Sequence, residues 1–431
     1  MAENGLILGA ASSNAGKTLI TTGLLKALHD KGHDICGAKT GPDYIDPAFH
    51  QAACGVPSVN LDPFAMDVGT LSHYAARQPA RHLLVEGVMG LFDGAVGLQV
   101  STSTLSSQLN LPIILIMNVR GQSQTAGYIA AALQKLQPLI KGVILNEVGS
   151  PRHSALIEHV LKEEGLSCFG AVPTNEALAI PSRHLGLVQM AELAKDPSWN
   201  DFVAQAGDII GRSCDLEAIM ACFGPLPDSH DAQPKSAISP PPAQHITVIR
   251  DEAFGFAYQH QLENWRRQGA EISFLSALND EVADAKTGFV FLPGGYPELH
   301  LPALQRADKT LSSLRALAAQ NIPIYGECGG YMALGEAIID KDGTAYEMAG
   351  LLPLVTSFKD RKRHLGYRRL TPLSGAPSYL QSASHGHEFH FTTAVSDTGE
   401  ALFEAGDATG TSLGETGLIK GSVCGSYCHV I

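Results

Sequence analysis

The segment Leu6–Thr18, LILGAASSNAGKT, constrains this chain more than any other stretch. A short apolar run reads as a strand and a loop of small residues follows. TLITTGLLKALHDKGH then reads as a helix, with Ile20, Leu24 and Leu28 on one face and Gly32 as its stop. In that order Ser12, Ser13, Asn14, Ala15 and Gly16 offer backbone N–H groups at a helix N-terminus. Lys17 adds a positive charge and Thr18 a hydroxyl that can reach Mg²⁺, which is the phosphate-cradling arrangement of a P-loop. Ala11 stands where the first loop glycine is usual.

Strands and helices continue to alternate. Apolar runs at Leu6–Gly9, Asp34–Lys39, His82–Glu86, Ile113–Val119, Gly142–Asn146 and Cys168–Val172 are expected strands of a parallel, doubly wound α/β sheet. Acids stand at or just beyond the ends of two of these runs: Asp43 and Asp46 in KTGPDYIDP, Glu86 and then Asp93 in LLVEGVMGLFDG. Ligands of open α/β sheets gather at the carboxyl ends of strands, so these four are candidates to hold metal and to serve carboxylate activation. The competing reading is that each acid caps a turn, a common fate of an Asp before Pro or Gly.

With 431 residues the chain is too long for one hydrophobic core. Pro225–Gln244, PLPDSHDAQPKSAISPPPAQ, carries six prolines and no periodicity and reads as an exposed linker. We therefore expect a first domain over residues 1–224, a linker over 225–244 and a second domain over 245–431. Ile246–Ile249, EISFL, Gly288–Leu292 and Ile322–Gly326 are expected strands of a second α/β domain. LENWRRQG and Leu304–Gln320 supply its helices, and a more hairpin-like region follows from Gly350.

Tyr325–Tyr331, YGECGGY, places one cysteine at a sharp strand-to-helix turn crowded with glycine. Such an elbow presents a nucleophile at a helix N-terminus, which is expected to lower the Cys328 thiol pKa. Gly294 and Gly295 of LPGGYPE, with Gly329, are candidate oxyanion-hole donors. The base is expected to be a distant histidine, His429 in SYCH, with His385, His387 and His390 of HGHEFH as rivals. Metal is not expected at HGHEFH: strand alternation puts His385 and His387 on one face and His390 on the other, and no carboxylate or cysteine completes a set. Cys424 and Cys428 are expected in the core.

A net charge of −13 argues against nucleic acid or an anionic membrane as the main partner. Eight cysteines without framework spacing do not suggest disulfides. The N-terminus has no basic region with a long apolar run, and no uncharged stretch approaches membrane-spanning length, so a cytoplasmic protein is expected.

GAKTGPDYIDPAFH, VEGVMGLFDGA, FLPGGYPELH, YGECGGYMALG, RHLGYRRL, GHEFHF and GSYCH together resemble the cobyrinic acid a,c-diamide synthase family of vitamin B12 biosynthesis. That family includes enzymes acting on cobalt-free hydrogenobyrinic acid, and the resemblance covers nearly the whole chain. It implies a first domain similar to dethiobiotin synthetase and a second resembling class I glutamine amidotransferases. It implies too that ATP phosphorylates the c and then the a acetate carboxylate of a corrin, and that ammonia from glutamine displaces the phosphate. By this likeness Thr18, Asp43 and Glu86 hold Mg²⁺, Lys17 and Lys39 steady phosphates, and Asn146 lies against adenine. Cys328 is then the glutaminase nucleophile and His429 its base. Many class I glutaminases carry a glutamate two residues after that histidine; Ile431 stands there, and no third member is nominated.

The implied partners are a corrin polycarboxylate, glutamine and ATP, with a homodimer the one assembly considered. An acidic chain must bind such an anion through local cations. Arg361, Arg363 and Arg368, in and after the densest basic run, are the candidates; the competing reading is a solvated loop. Three rivals remain in view. Cobyric acid synthase shares the two-domain plan but amidates other side chains. CTP synthetase would need the glutamate after the histidine. A partitioning-type ATPase switch would carry a second lysine early in its loop, which ASSNAGKT does not.

Overall fold

The computed structural model describes residues 1–95, 100–175, 197–227 and 239–431, so most of the proline-rich linker stretch lies outside the described residues. The chain divides into two compact units, Met1–Ala237 and Ile238–Ile431.

In the first unit the six expected runs become strands β1 (Asn4–Ala10), β2 (Ile35–Thr40), β4 (His82–Glu86), β5 (Ile113–Asn118), β6 (Ile140–Val148) and β7 (Ser167–Pro173), and a further short strand, β3 (Val59–Leu61), was not among them. They pair in the order β3-β2-β4-β1-β5-β6-β7, each neighbour parallel to the next. Every residue of β2 and β3 is buried, as a sheet covered on both faces requires. β1 lies between β4 and β5, where the chain changes direction across the sheet. That is the place where an open α/β sheet leaves a crevice at its carboxyl edge.

Helix α1 (Lys17–Asp30) follows β1 and buries Ile20, Leu24 and Leu28. Helix α2 (Asp46–Cys54), not anticipated from the sequence, has Pro47 in its first turn and stops at Gly55 with φ 73°. The helix Pro197–Ser213 contributes Phe202, Val203 and Ile210 to the same core as Leu24 and Phe49. The Trp199 ring meets Phe49 edge-on at 4.5 Å.

The second unit contains a six-stranded sheet ordered Glu271–Leu275, His245–Ile249, Phe289–Leu292, Ile324–Glu327, Val423–Ser426 and Leu418–Lys420. All pairs but the last are parallel. Beside it stand a four-stranded sheet and a five-stranded antiparallel sheet, the latter ordered Ser412–Thr416, Phe403–Asp407, His364–Pro372, His385–His390 and His429–Val430. The chain leaves the parallel sheet at Ser426 and joins the antiparallel one at His429, which locks that histidine between two sheets. Cys424 and Cys428 are buried in a core with Phe291 and Tyr325. Among the described residues no helix is long and apolar enough to cross a membrane.

Phe49→Ala should destabilise the first unit by about 3–5 kcal/mol, because it opens a cavity beneath Trp199. In a Trp265→Phe background, a denaturant titration followed by Trp199 emission checks this, and an unshifted midpoint would contradict it.

Candidate active site

At the carboxyl edge of the first unit's sheet lies a cavity of about 520 Å³. Ser13, Asn14, Gly16, Lys17 and Thr18 form one wall and Lys39, Asp43, Asp46, Glu86 and Asn146 much of the rest. The loop enters α1 through two left-handed residues, Asn14 at φ 59° and Gly16 at φ 90°, which turns successive N–H groups inward. Asn146 Nδ2 donates to the Ala15 carbonyl at 2.9 Å, pinning the loop from β6. Ala15 is buried, while Ser12 and Ser13 are exposed. Lys17 Nζ donates to the Met89 carbonyl. Burial, and then the nearby Lys39 charge, push the Lys17 ammonium down.

Thr18 Oγ1 is 2.9 Å from Glu86 Oε1 and 3.1 Å from Asp46 Oδ1. Lys39 Nζ reaches Glu86 Oε1 at 3.1 Å and pairs with Asp46. The other Glu86 oxygen meets His50 Nε2 at 2.8 Å, and His50 Nδ1 meets Ser58 Oγ at 2.9 Å. Burial opposes the Glu86 charge, yet Lys39 and the His50 hydrogen bond outweigh it and hold the carboxyl well below the usual range. Lys39 shows the converse: burial works against its charge, and Asp46 and Glu86 raise it. Asp46 is pushed well up, by burial and then by Asp43 and Glu86. Thr18, Asp46 and Glu86 offer oxygen donors only, the set that a small hard cation such as Mg²⁺ takes, so the residues present fit that ion.

The structure thus sets Asp46, rather than Asp43, against Thr18. Asp43 lines the cavity, but its Oδ1 accepts the Ile45 N–H at 2.8 Å. Asp93 turns back onto the Gly90 N–H at 2.9 Å and is absent from the cavity wall. His50 was not singled out from the sequence. Its signal is its place on α2, one turn beyond Asp46, in the stretch IDPAFH. It fits because Gly37 of β2 has no side chain: a Cβ there would come within 2.6 Å of His50 Cβ.

In the second unit Cys328 sits between the strand Ile324–Glu327 and the helix Gly329–Leu334, with φ 47° and ψ −106°. A non-glycine residue in that region is strained, as a nucleophile elbow demands. Its N–H donates to Ser426 O at 2.9 Å, and its Sγ lies 3.8 Å from the Phe389 carbonyl. A Cβ on Gly294 would stand 2.2 Å from His429 Cε1, 3.0 Å from His429 Nε2 and 3.2 Å from Cys328 Cβ. The His429 imidazole and Cys328 therefore close on one point that only a glycine leaves open. The Gly329 N–H is directed at the sulfur, and Gly329 packs against the Gly295 backbone.

The expected lowering of the thiol pKa does not occur. Burial, and then the Glu298 charge, push the Cys328 thiol up despite the Gly329 N–H. Cys328 is 4% exposed, and desolvation outweighs the short helix behind it.

The HGHEFH cluster also differs from expectation. His364 and His390 face each other across paired strands, and Glu388 lies on the His390 face, so a carboxylate does join two histidines within 4.8 Å. The two imidazoles stack with ring planes 11° apart. Glu388 is also held by Arg368 Nε at 2.6 Å and by His390 Nε2 at 2.7 Å. Two imidazoles and a carboxylate thus lie together in a network that Arg368 also joins. His387 lies on the other strand face, opposite His429; burial, and then the His429 and Arg368 charges, lower its pKa to about 3. Arg368 is thus engaged within the unit, whereas Arg361 and Arg363 are exposed just before the strand His364–Pro372.

Residues 6–188 match the CobQ/CobB/MinD/ParA nucleotide binding domain family, and residues 245–431 the CobB/CobQ-like glutamine amidotransferase domain family. The chain is 44% identical over 433 residues to the hydrogenobyrinate a,c-diamide synthase of Brucella suis biovar 1 (strain 1330), covering 99% of this chain and 98% of that protein. The protein of that name from Rhizobium meliloti (strain 1021) is 42% identical, with 99% of both chains covered. That from Rhodobacter capsulatus is 41% identical over 435 residues, covering 99% of this chain and 98% of its own. A nucleotide-binding unit and a glutamine amidotransferase unit in this order, matched end to end at such identity, place the chain in the family of hydrogenobyrinate a,c-diamide synthases.

Proposed function

We propose that this chain uses ATP and glutamine to convert the a and c acetate carboxylates of cobyrinate or hydrogenobyrinate into amides, in the cytoplasm. One observation carries the reading: a single chain holds both a P-loop cavity lined by Lys17, Thr18 and Glu86 and a strained cysteine that shares one point with His429.

In the first unit the loop N–H groups, Lys17 and Lys39 receive the ATP phosphates, and Asn146 holds the loop and faces adenine. Thr18, Glu86 and the Asp43–Asp46 pair would hold Mg²⁺, whose contribution is to neutralise phosphate oxygens. A corrin carboxylate oxygen takes the γ-phosphoryl group, ADP leaves, and ammonia attacks the resulting acyl phosphate. The C–N bond forms as the C–O bond to phosphate breaks, and the nitrogen loses a proton to solvent. In the second unit His429 removes the Cys328 proton and the thiolate attacks the glutamine carboxamide carbon. The N–H groups of Gly295 and Gly329 receive the oxyanion, beside the gap that Gly294 leaves. His429 returns the proton to the departing ammonia, and water releases glutamate. Arg361 and Arg363 are the exposed cations proposed to meet corrin carboxylates.

A second reading, amidation of other corrin side chains as in cobyric acid synthase, is separated by product. After incubation with ATP, Mg²⁺, glutamine and either corrin acid, mass spectrometry should find two added amides, at a and c. Amides elsewhere would favour the second reading, and ATP hydrolysis without amide formation would favour an ATPase switch.

Cys328→Ser should abolish glutamine-supported synthesis and spare synthesis from ammonium, and His429→Ala should lower the former by about 10²–10⁴-fold. Equal loss with both nitrogen donors would remove Cys328 from the glutaminase. Glu86→Gln and Asp43→Asn should cripple synthesis from either donor, leave basal glutaminase measurable and raise the Mg²⁺ requirement. Wild-type rates at limiting Mg²⁺ would take that residue out of the site. Arg361→Ala combined with Arg363→Ala should raise the corrin KM, most strongly at low salt, and leave the ATP KM alone. An unchanged corrin KM at low salt would return these arginines to the solvent.

A further inference from the structure

An imidazole that takes a proton through Nε2 must be held in its tautomer and orientation at Nδ1, and a buried carboxylate does this well. Glu327 stands at that atom. Its Oε2 lies 3.6 Å from His429 Nδ1, with both side chains nearly sealed from solvent at 2% and 3% exposure. Its Oε1 accepts the Val430 N–H at 3.0 Å. One carboxylate therefore grips both the imidazole and the backbone of the strand that carries it. Glu327 also precedes Cys328 directly, and it pairs in register with Ser426, where the chain begins its crossing to His429.

We infer that Glu327 is the positioning carboxylate of the glutaminase, holding His429 against Cys328; this rests on the reading of Cys328 and His429 as the glutaminase pair. The separation of 3.6 Å is an ion-pair distance, and it shortens to a charge-assisted hydrogen bond as the imidazole gains its proton. The neighbours leave this role to Glu327. Of the other two carboxylates near the sulfur, Glu388 is taken up by Arg368 and His390, and Glu298 stands on the separate turn Pro297–Leu299. His387, opposite His429, is held neutral by its low pKa. Tyr325, on the same strand face as Glu327, stays protonated, because burial and then the Glu327 charge push its phenol well up.

A merely structural Glu327 would serve only as acceptor for the Val430 N–H, and a glutamine does that equally well. The full chain bearing Glu327→Gln, and separately Glu327→Asp, should be assayed with glutamine and with ammonium. Glu327→Gln is expected to lower the glutaminase kcat by about 10²–10⁴-fold with the glutamine KM unchanged and ammonium-supported synthesis at the wild-type rate. Glu327→Asp, which keeps the charge, is expected to recover part of that loss. A wild-type glutaminase kcat in Glu327→Gln overturns the inference, and so does an equal loss with both donors in the two variants alike. These outcomes are separate from the glutaminase reading itself, which stands or falls with Cys328→Ser.

Discussion

Glu86 is buried, so its charge needs partners close by. Three elements supply them: Thr18 from α1, Lys39 from β2 and His50 from α2. Removing one partner from such a buried pair typically costs about 3–5 kcal/mol, because the remaining charge is left uncompensated. The exposed pair between Arg81 and Glu3, by contrast, is of a kind worth about 0–1 kcal/mol. The geometry of the phosphate loop is thus tied to electrostatic neutrality at one carboxylate. Lys39 and Glu86 cannot be desolvated unless α2 is in place, and α2 is covered in turn by the helix Pro197–Ser213 through Phe49 and Trp199.

Much of this was legible in the sequence, since it depends on short-range pattern. The apolar runs matched the strands within a few residues, because continuous burial in a parallel sheet leaves a continuous signal. The phosphate loop and the cysteine elbow were legible because glycines and a positive φ belong to local chain geometry. What escaped depends on which side chains the folded chain brings face to face. Asp43 and Asp46 are equivalent as letters, and only the start of α2 at Asp46 decides which one turns to Thr18. Glu388 meets His364 through an antiparallel register that no spacing encodes. Arg368 reads as part of a basic run, yet strand alternation turns it toward Glu388.

The thiol shows why a motif can mark a position and still mislead about its chemistry. A helix N-terminus favours a thiolate, but the helix Gly329–Leu334 is short, and the cost of burying a charge is larger. Cys328 accordingly rests as a neutral thiol, and it becomes a nucleophile only if a base takes its proton in the same sheltered space. If His429 is that base, as proposed, its placement is decisive, and the strand crossing holds it there. The chain leaves one sheet beside the elbow and joins another at His429, with Glu327 gripping the crossing at Val430. A neutral, buried thiol also reacts slowly with oxidants and electrophiles, which act on thiolates. On this account the high thiol pKa is compatible with catalysis: reactivity is withheld from the resting cysteine and arises when substrate, nucleophile and imidazole meet at the space beside Gly294.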